Sequence, residues 1–436
     1  MLDILGKSDL LIKEAKIIDP AKNKGYGGDI YIKGGKIEKI GKDLKKEDAT
    51  LRIDAKGYTV FPGFTDMHVH LREPGEEKKE DIKSGVKAAL RGGITSIACM
   101  PNTKPPVDSP ALVKFVLSEA EKCGFNVYPV AAMTKGLEGT GIAEIGLLKE
   151  AGAIAFSDDG RCVADSRLML EIMRYAKSFG CLLILHEEDY SFSGGALANE
   201  GYPSIGLGLE GFSSLAEEIV VARDIQLSKK TKAKIHVTHV SSRGSVEMIR
   251  QAKKEGVPVT CDVTPHHIYF NDHALSDYNT NLKVNPPIRG TGDQEAIIEG
   301  IKDGTIDAIA SDHAPHLKEE KNTTFREASF GAIGMETLFK ATYTKLCKER
   351  GIPLKEYIKL LTIRPAKILG IDTASIAEGK IADMAIVDTE TRGKLEQYFY
   401  SKSSNCPFTG EELYGEIIFT INKGRICFVN SDAYGK

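Results

Sequence analysis

The chain has 436 residues, of which 42% are hydrophobic and 27% are charged, and its 58 basic side chains nearly balance 61 acidic ones. The resulting net charge of −3 excludes the strongly basic footprint of a nucleic-acid-binding protein. No apolar run approaches the roughly 20 residues that a bilayer span requires, so no membrane partner is expected either.

Compartment and size follow from the same composition. Residues 1–9 carry charges where a signal peptide would need an apolar core. The eight cysteines include no CxxC pair and are typical of reduced thiols. We therefore expect a cytoplasmic globular enzyme, long enough for one large barrel and a smaller module.

The first 60 residues are predicted to form β structure. Apolar–polar runs at 10–18, 29–40 and 51–60 are separated by glycines that are typical of turns. After Pro62, apolar runs alternate with amphipathic helical patterns, which indicates βα units and a parallel sheet. Eight of these runs are predicted strands, at 64–70, 94–100, 126–132, 153–157, 182–186, 234–240, 257–262 and 306–311.

Amphipathic patterns between these strands predict crossover helices. The clearest of them lie at 81–91, 110–122, 166–179, 215–229, 245–254 and 294–302. Parallel strands with helical crossovers predict an α/β protein with a (β/α)8 barrel. From residue 377 strand patterns return, so we expect a small β-sandwich module built from both chain ends. The predicted limits are 1–61 and 371–436 for the module and 62–370 for the barrel.

The end of the first predicted barrel strand is the strongest candidate for a functional site. On a regular strand Asp66, His68, His70 and Arg72 point to one face, together with Phe64. Two imidazoles at one strand end can bind a single metal ion, because neutral histidine nitrogen is a preferred ligand of zinc and its neighbours. The structural alternative is a surface strand with two solvated histidines.

Polar side chains also follow the other predicted strands, at the end where a barrel builds its active site. They are Asn102, Asp158, Asp159, His186, His239, His266, His267, Asp312, His313 and His316. Counting ligands suggests two metal ions. His68, His70 and Asp312 would bind one ion, and His186 and His239 the other. A carboxylate from the fourth strand would lie between them. Such ligands favour zinc, although manganese or cobalt also fits.

These residues resemble a known family. Residues 66–70 (DMHVH), the histidines of strands five and six and Asp312 resemble the amidohydrolase superfamily. More narrowly, four motifs are similar to those of the long, bacterial and archaeal dihydroorotases. They are HVHLREPG at 68–75, MPNT at 100–103, VNPP at 284–287 and SDHAPH at 311–316. The resemblance covers nearly the whole chain.

The fourth strand distinguishes branches of this superfamily. Hydantoinases, dihydropyrimidinases and allantoinases carry a lysine there, which is carboxylated to bridge the metals. Here the strand ends in FSDDG at 156–160, which contains no lysine and is similar to the branch in which an aspartate bridges directly. Strand alternation does not choose between Asp158 and Asp159. The match to the family favours Asp159.

The resemblance also implies roles in substrate binding. Arg72 would pair with a substrate carboxylate, because a guanidinium matches its geometry with two parallel hydrogen bonds. Asn102 and His316 would assist it, and Asn285 would bond the pyrimidine ring. The structural alternatives are a surface ion pair for the arginine and turn positions for the two asparagines.

The implied activity is the zinc-dependent, reversible cyclisation of N-carbamoyl-L-aspartate to L-dihydroorotate in pyrimidine (UMP) biosynthesis, with two zinc ions per subunit. A hydroxide between the metals would attack the ring amide, and Asp312 would act as general acid and base. Implied protein partners are a second copy in a homodimer and aspartate carbamoyltransferase. The alternatives are another cyclic amidase, such as an allantoinase, and an inactive homologue that only scaffolds a partner.

Three other features carry structural expectations. His236 has the opposite strand parity to His239, so it is expected to face the outer helices. The acidic run at 187–189 is expected either to be solvated or to support the metal ligands from behind. The polar segment 317–329 is expected to be a mobile lid over the substrate or an exposed loop.

Overall fold

A computed structural model describes residues 9–22, 24–45, 49–372 and 375–435. Most of the charged segment 1–9, on which the absence of a signal peptide was predicted, lies outside these residues. Within the described ranges no helix is both long enough and apolar enough to cross a bilayer.

The middle of the chain forms the predicted barrel. Its eight strands are hydrogen-bonded in chain order, each parallel to the next. A parallel bridge between Val69 and His313 joins the two ends of the sheet. The barrel strands are Phe64–Val69, Ile94–Cys99, Asn126–Ala131, Ala155–Phe156, Leu182–Leu185, Lys234–Val237, Val259–Val263 and Ala308–Ile309. The (β/α)8 prediction is therefore confirmed, with strands mostly shorter than expected.

Helices connect the strands and cover the outside of the barrel. The main crossover helices are Ile82–Arg91, Pro110–Cys123, Ile145–Ala151, Ser166–Ser178, Leu215–Thr231, Arg243–Lys254 and Thr291–Asp303. Shorter helices lie in the connections, at Tyr190–Ser193, Tyr202–Leu207, Pro265–Tyr269 and Lys318–Lys321. The eighth strand is followed by helical segments at Leu338–Thr342, Tyr343–Glu349, Leu354–Leu361 and Ile363–Leu369.

The first crossover helix shows why these segments begin where they do. The Asp81 carboxylate accepts a hydrogen bond from the Ser84 amide at 2.7 Å, and the Ser84 hydroxyl accepts one from the Asp81 amide at 3.1 Å. This reciprocal pair satisfies backbone donors that have no partner inside the helix. The helix ends at Gly92 and buries Val86 and Leu90 against the barrel.

Strands from both ends of the chain form one further sheet beside the barrel. The two ends meet where Met384–Lys394 pairs antiparallel with Thr59–Pro62. The strands of this module are Leu10–Asp19, Lys24–Lys33, Lys36–Gly41, Leu51–Asp54, Thr59–Pro62, Met384–Lys394, Glu412–Asn422 and Arg425–Val429. A module from both termini is thus confirmed, whereas its limits at 61/62 and 370/371 stay a prediction.

Two apolar layers position the polar end of the barrel. The outer layer packs one side of the barrel strands against the helices. The inner layer fills the barrel with small and medium side chains, namely Met67, Ala98, Met100, Val130, Ala155, Leu182, Ile184, Ala308 and Ala310. Because the interior of the barrel is close-packed, the carboxyl ends of the strands are held in place. The loops that follow them therefore start from fixed positions.

Candidate metal centre and active site

Four histidines surround one carboxylate at the carboxyl end of the barrel. Asp159 Oδ1 lies 3.3 Å from His68 Nε2, 3.8 Å from His239 Nε2 and 3.9 Å from His186 Nδ1. Its other oxygen lies 3.5 Å from His70 Nε2. All five side chains are buried. The aspartate therefore belongs to two groups that could each hold a metal ion, one with the first pair of histidines and one with the second.

Asp312 lies next to the first of these groups. Its Oδ1 lies 3.1 Å from His70 Nε2 and 3.5 Å from His68 Nε2. Asp158, in contrast, turns away from the cluster. Its carboxylate accepts hydrogen bonds from the amides of Met133 and Thr134, at 2.8 and 3.0 Å, and from the Thr134 hydroxyl.

The first barrel strand reaches the site by an irregular path. Its register against the second strand shifts twice, and Phe64 packs on the helix side, where its ring stacks on Phe339 at 5.3 Å. The expectation that Phe64 shares a face with His68 and His70 is therefore wrong. The strand ends at Val69, and Arg72 adopts a left-handed backbone with φ of 61°. Strand alternation assumes a regular strand and so cannot account for these positions.

Two neighbouring side chains orient the first histidine pair. His68 Nδ1 lies 2.7 Å from the Thr238 hydroxyl, and His70 Nδ1 lies 2.8 Å from Asn102 Oδ1. An amide oxygen only accepts, so His70 carries its proton on Nδ1. Both rings thereby present Nε2 to the carboxylates, as metal-binding histidines do when their other nitrogen is hydrogen-bonded.

Thr238 belongs to a buried network beneath the cluster. The Asp262 carboxylate accepts hydrogen bonds from the Thr238 hydroxyl at 3.1 Å and from the His239 amide at 2.7 Å, and it lies 2.9 Å from His236 Nε2. The expectation that His236 faces the outer helices is wrong. The strand ends at Val237 and His239 has φ of 39°. Strand alternation therefore does not extend to His239, and it cannot be used to place the two histidines on opposite faces.

Opposite charges dominate the electrostatics of the cluster. Burial opposes protonation of His68, but Asp159, Asp312 and Asp262 outweigh it and raise its pKa to about 10. Burial would raise the pKa of Asp159, yet the surrounding histidines hold it well below its usual range. The pKa of Asp312 is lowered in the same way. The two carboxylates are thus ionised at neutral pH.

The residues fit a bound cation. His68 Nε2 and Asp159 Oδ1 are fully buried, and neither makes a hydrogen bond within the described part of the chain. Leaving a buried polar atom unpaired costs about 1–3 kcal/mol. A divalent ion between these atoms would satisfy both, and imidazole with carboxylate is a donor set that zinc, manganese and cobalt accept.

A cavity of 230 Å³ opens beside the cluster. It is lined by His70, Arg72, Asn102, Asp159, Gly160, His186, His239, Asn285, Asp312, Ala314, His316, Phe330 and Gly331. All four predicted substrate-binding residues are therefore brought to the same cavity as five of the six predicted metal ligands, all except His68. A cavity of this size suits a small single-ring molecule.

Arg72 is the unusual member of this lining. Its side chain is 9% exposed, and its Nε donates to the Pro315 carbonyl at 3.2 Å. Among the described residues no carboxylate lies within 4.0 Å of its guanidinium. A buried cation without a paired anion is unfavourable, so this group favours an anionic ligand in the cavity.

His316 and Asn285 lie on two loops that face the cavity. His316 Nε2 lies 2.7 Å from the Phe330 carbonyl. Burial, together with the nearby Arg72 and Lys321, lowers the pKa of His316 to about 3, so this ring is neutral and donates to the carbonyl. Asn285 Nδ2 donates to Glu188 Oε2 at 2.9 Å.

Of the two expectations for the acidic run after strand five, support of a metal ligand from behind holds for Glu188. Glu187 and Glu188 are both 6% exposed, so neither is solvated. Glu188 instead lies 2.9 Å from His186 Nε2, behind a candidate metal ligand. Burial would raise the pKa of Glu188, but hydrogen bonds from His186, Ser193 and Asn285 lower it to about 2.

Sequence reasoning also assigned no role to Thr238, Asp262 or His267. His267 bonds the Thr264 hydroxyl through Nδ1 at 2.7 Å and the Pro286 carbonyl through Nε2 at 3.0 Å, next to Asn285. The available signal was position alone, since all three lie on or just after barrel strands six and seven, near predicted site residues.

Segment 317–329 is tied to the loops around the cavity. The Lys321 ammonium donates to the carbonyls of Ser329 at 2.7 Å and Gly331 at 2.9 Å. Lys321 is 5% exposed, so these contacts are shielded from solvent. Whether the segment moves as a lid stays a prediction.

Solved structures similar to this one include proteins named hydantoinase or dihydropyrimidinase. The L-hydantoinase (dihydropyrimidinase) from Arthrobacter aurescens superimposes with a TM-score of 0.85 at 24% identity, covering 96% of both chains. The dihydropyrimidinase from Brevibacillus agri superimposes with a TM-score of 0.81 at 22% identity, covering 96% of this chain and 94% of that one. At such identities the likeness shows the fold alone.

Relatives found by sequence are much more similar to this chain than these structures are. The amidohydrolase family matches residues 59–427. The dihydroorotase from Acetivibrio thermocellus is 46% identical over 419 residues, which is 96% of this chain and 98% of the relative. The dihydroorotase from Geobacter metallireducens is 43% identical over 422 residues, covering 96% and 99% of the two chains. The chain therefore belongs to the amidohydrolase family, and within that family its relatives include proteins named dihydroorotase.

Proposed function

We propose that this protein is a dihydroorotase, which reversibly cyclises N-carbamoyl-L-aspartate to L-dihydroorotate in pyrimidine biosynthesis. The observation that carries this proposal is the unpaired, buried guanidinium of Arg72 in the cavity beside the metal cluster. Dihydroorotate has a ring carboxylate that would pair with it, whereas hydantoin and allantoin have none. The relatives named dihydroorotase, at 46% and 43% identity over nearly the whole chain, support the same choice.

The proposed cofactor is a pair of zinc ions. His68, His70 and Asp312 would hold one ion, and His186 and His239 the other, with Asp159 between them. When bound, zinc lowers the pKa of a coordinated water and polarises a carbonyl oxygen. The unpaired buried atoms of His68 and Asp159 support this assignment.

Asp312 is the proposed proton carrier. It lies at the cavity, and its lowered pKa keeps it ionised, so it can accept a proton from the attacking water. It then delivers that proton to the departing ring nitrogen, and cyclisation follows the reverse path. Its low basicity is offset by its position beside the reacting groups.

The remaining lining residues would bind and orient the substrate. Arg72 would hold the ring carboxylate with two parallel hydrogen bonds. Asn102 and His316 line the same cavity and would assist it, and Asn285 would bond a ring amide group. Because these residues contact the substrate away from the scissile bond, they fix the position of its carbonyl relative to the metal cluster.

Two alternatives are weaker. A hydantoinase- or allantoinase-type enzyme would carry a lysine after strand four, where this chain has Asp158 and Asp159. It would also have no use for the Arg72 cation. An inactive scaffold would be expected to lose ligands, yet all six candidate ligands are present and buried.

The deciding experiment measures hydrolysis of dihydroorotate and cyclisation of carbamoyl aspartate, with metal content determined on the same sample. Hydantoin and allantoin serve as comparison substrates. We expect activity on the first pair, with two zinc ions per chain at full activity. Faster hydrolysis of hydantoin or allantoin than of dihydroorotate would refute the proposal and favour the allantoinase type.

The proposed setting is cytoplasmic, with a homodimer and aspartate carbamoyltransferase as partners. The eight free cysteines support a reducing compartment. Aspartate carbamoyltransferase makes the substrate of the cyclisation, so association would shorten the transfer. Size-exclusion chromatography of the protein alone and mixed with that enzyme tests both partners. Elution as a monomer in both samples would refute them.

A further inference from the structure

The carboxylate of Glu188 contacts both a candidate metal ligand, His186, and a residue of the substrate cavity, Asn285. It is 6% exposed and sits two residues after the candidate ligand His186. One oxygen, Oε2, lies 2.9 Å from His186 Nε2 and accepts a hydrogen bond from Asn285 Nδ2, also at 2.9 Å. The other oxygen accepts a hydrogen bond from the Ser193 hydroxyl at 2.5 Å.

The contact between Glu188 Oε2 and His186 Nε2 determines which nitrogen of His186 can bind a metal. A carboxylate only accepts hydrogen bonds, so His186 Nε2 must carry a proton. Its Nδ1 then holds the free electron pair. That nitrogen faces His239 Nε2 at 3.0 Å and Asp159 Oδ1 at 3.9 Å. A carboxylate behind a histidine ligand is a common way to fix the ring and strengthen its binding to metal.

The hydrogen bond from Asn285 Nδ2 to Glu188 Oε2 orients the amide of Asn285. Because the NH2 group points to Glu188, the amide oxygen is the group left for the cavity. This oxygen makes no hydrogen bond within the described ranges. An amide oxygen accepts hydrogen bonds, so it suits an N–H group of a cyclic amide. One carboxylate oxygen thus holds both a candidate metal ligand and a residue of the cavity.

We propose that Glu188 is a positioning residue that couples metal binding at His186 to recognition of a substrate N–H by Asn285. The part that concerns Asn285 rests on the proposed function. The part that concerns His186 rests on geometry alone and is tested without substrate.

The test compares three variants by chelator competition for Zn²⁺ and by steady-state kinetics on dihydroorotate. We expect Glu188→Gln to bind zinc 10- to 100-fold more weakly at one of the two sites, as other changes behind metal ligands do. Its KM should rise as well, because a neutral amide oxygen is a weaker acceptor than a carboxylate for the NH2 group of Asn285. Asn285→Ala should raise KM and leave zinc affinity unchanged, since the contact between Glu188 and His186 is retained in this variant.

Glu187→Gln is the matched control. It makes the same change one residue away, also buried, but Glu187 interacts with Asp224 rather than with His186. Zinc affinity and KM should stay at wild-type values. Unchanged zinc affinity in Glu188→Gln would overturn the proposal, and so would an equal loss in Glu187→Gln, because that result would indicate general damage to packing.

Two further outcomes also decide between the proposal and its failure. If Glu188→Gln does not fold, Ser193→Ala removes only the hydroxyl donor to the other oxygen and should weaken zinc binding several-fold, whereas no change would overturn the proposal. If the wild type binds zinc but does not turn over dihydroorotate, the proposed function fails. The zinc affinities of the variants still decide the role of Glu188 toward His186.

Discussion

Replacing Arg72 by methionine tests the specificity of the site most directly. The guanidinium is 9% exposed, and its one hydrogen bond within the described chain is Nε to the Pro315 carbonyl. The outer two nitrogens are therefore available for a substrate carboxylate. Losing a desolvated charge pair costs roughly 2–5 kcal/mol, which corresponds to about 30- to 5,000-fold in kcat/KM. Methionine keeps much of the side-chain volume and removes only the charge and the donors.

The assay is steady-state hydrolysis of dihydroorotate together with metal analysis. We expect most of the loss in KM, with both zinc ions retained, because Arg72 is not a ligand. Arg72→Lys should recover part of the loss, since it restores the charge without the planar fork. Arg161→Met is the control, because Arg161 is exposed and, within the described residues, donates a hydrogen bond only to the Leu137 carbonyl. Unchanged KM in Arg72→Met, or loss of metal in proportion to activity, would refute this reasoning.

Three further predictions follow from the cluster and its surroundings. Asp159→Ala should lose bound zinc, and reconstitution of the wild type should need no bicarbonate; a bicarbonate requirement, or metal loss in Asp158→Ala alone, would contradict the assignment. Asp312→Asn should keep the fold and lower kcat by about 10²–10⁴-fold, as for a lost general acid–base, and near-normal turnover would exclude that role. Burial lowers the pKa of His267 to about 4, below the ordinary value of about 6.5, so the unfolded chain takes up its proton first as the pH falls. The stability that His267 provides at pH 7 should therefore decrease by up to about 3 kcal/mol toward pH 4, measured by urea unfolding of wild type and His267→Asn; a constant difference between the two would contradict the shift.

The architecture was predictable because buried parallel strands are continuous apolar runs and their carboxyl ends carry the polar residues. That reasoning located all eight strands and most of the candidate site residues, whereas Asn285 came from the family resemblance alone. The structure brings nine of the ten candidate site residues to the lining of one cavity, with His68 in the cluster beside it. The sequence reasoning failed where the backbone is irregular. Phe64 and His236 were placed on the wrong sides, since alternation was extended across register shifts and past strand ends.

Sequence patterns also gave little information about the residues that support the candidate metal ligands. A run of three acidic residues is usually solvated, and nothing local distinguishes Glu188, which holds His186, from its neighbours. Likewise, Asp158 and Asp159 are chemically identical and adjacent. Only the three-dimensional structure shows that Asp158 is engaged by the backbone amides of Met133 and Thr134. The partners of Asp158 are more than 20 residues away in sequence, and the contact of Glu188 to His186 depends on how the loop folds, so periodicity cannot reveal either role.

Fold similarity and site chemistry give different information about substrate. The hydantoinase of Arthrobacter aurescens shares the whole architecture, with a TM-score of 0.85, so the barrel itself cannot select a substrate. Selection must come from the side chains at the cavity. Here a carboxylate, Asp159, lies between the two histidine pairs, and a buried cation, Arg72, faces the same cavity. On the proposed assignment the carboxylate would make a carboxylated lysine unnecessary, and the cation would favour an anionic ring over a neutral one. Both features are local, and both are independent of how closely the barrels superimpose.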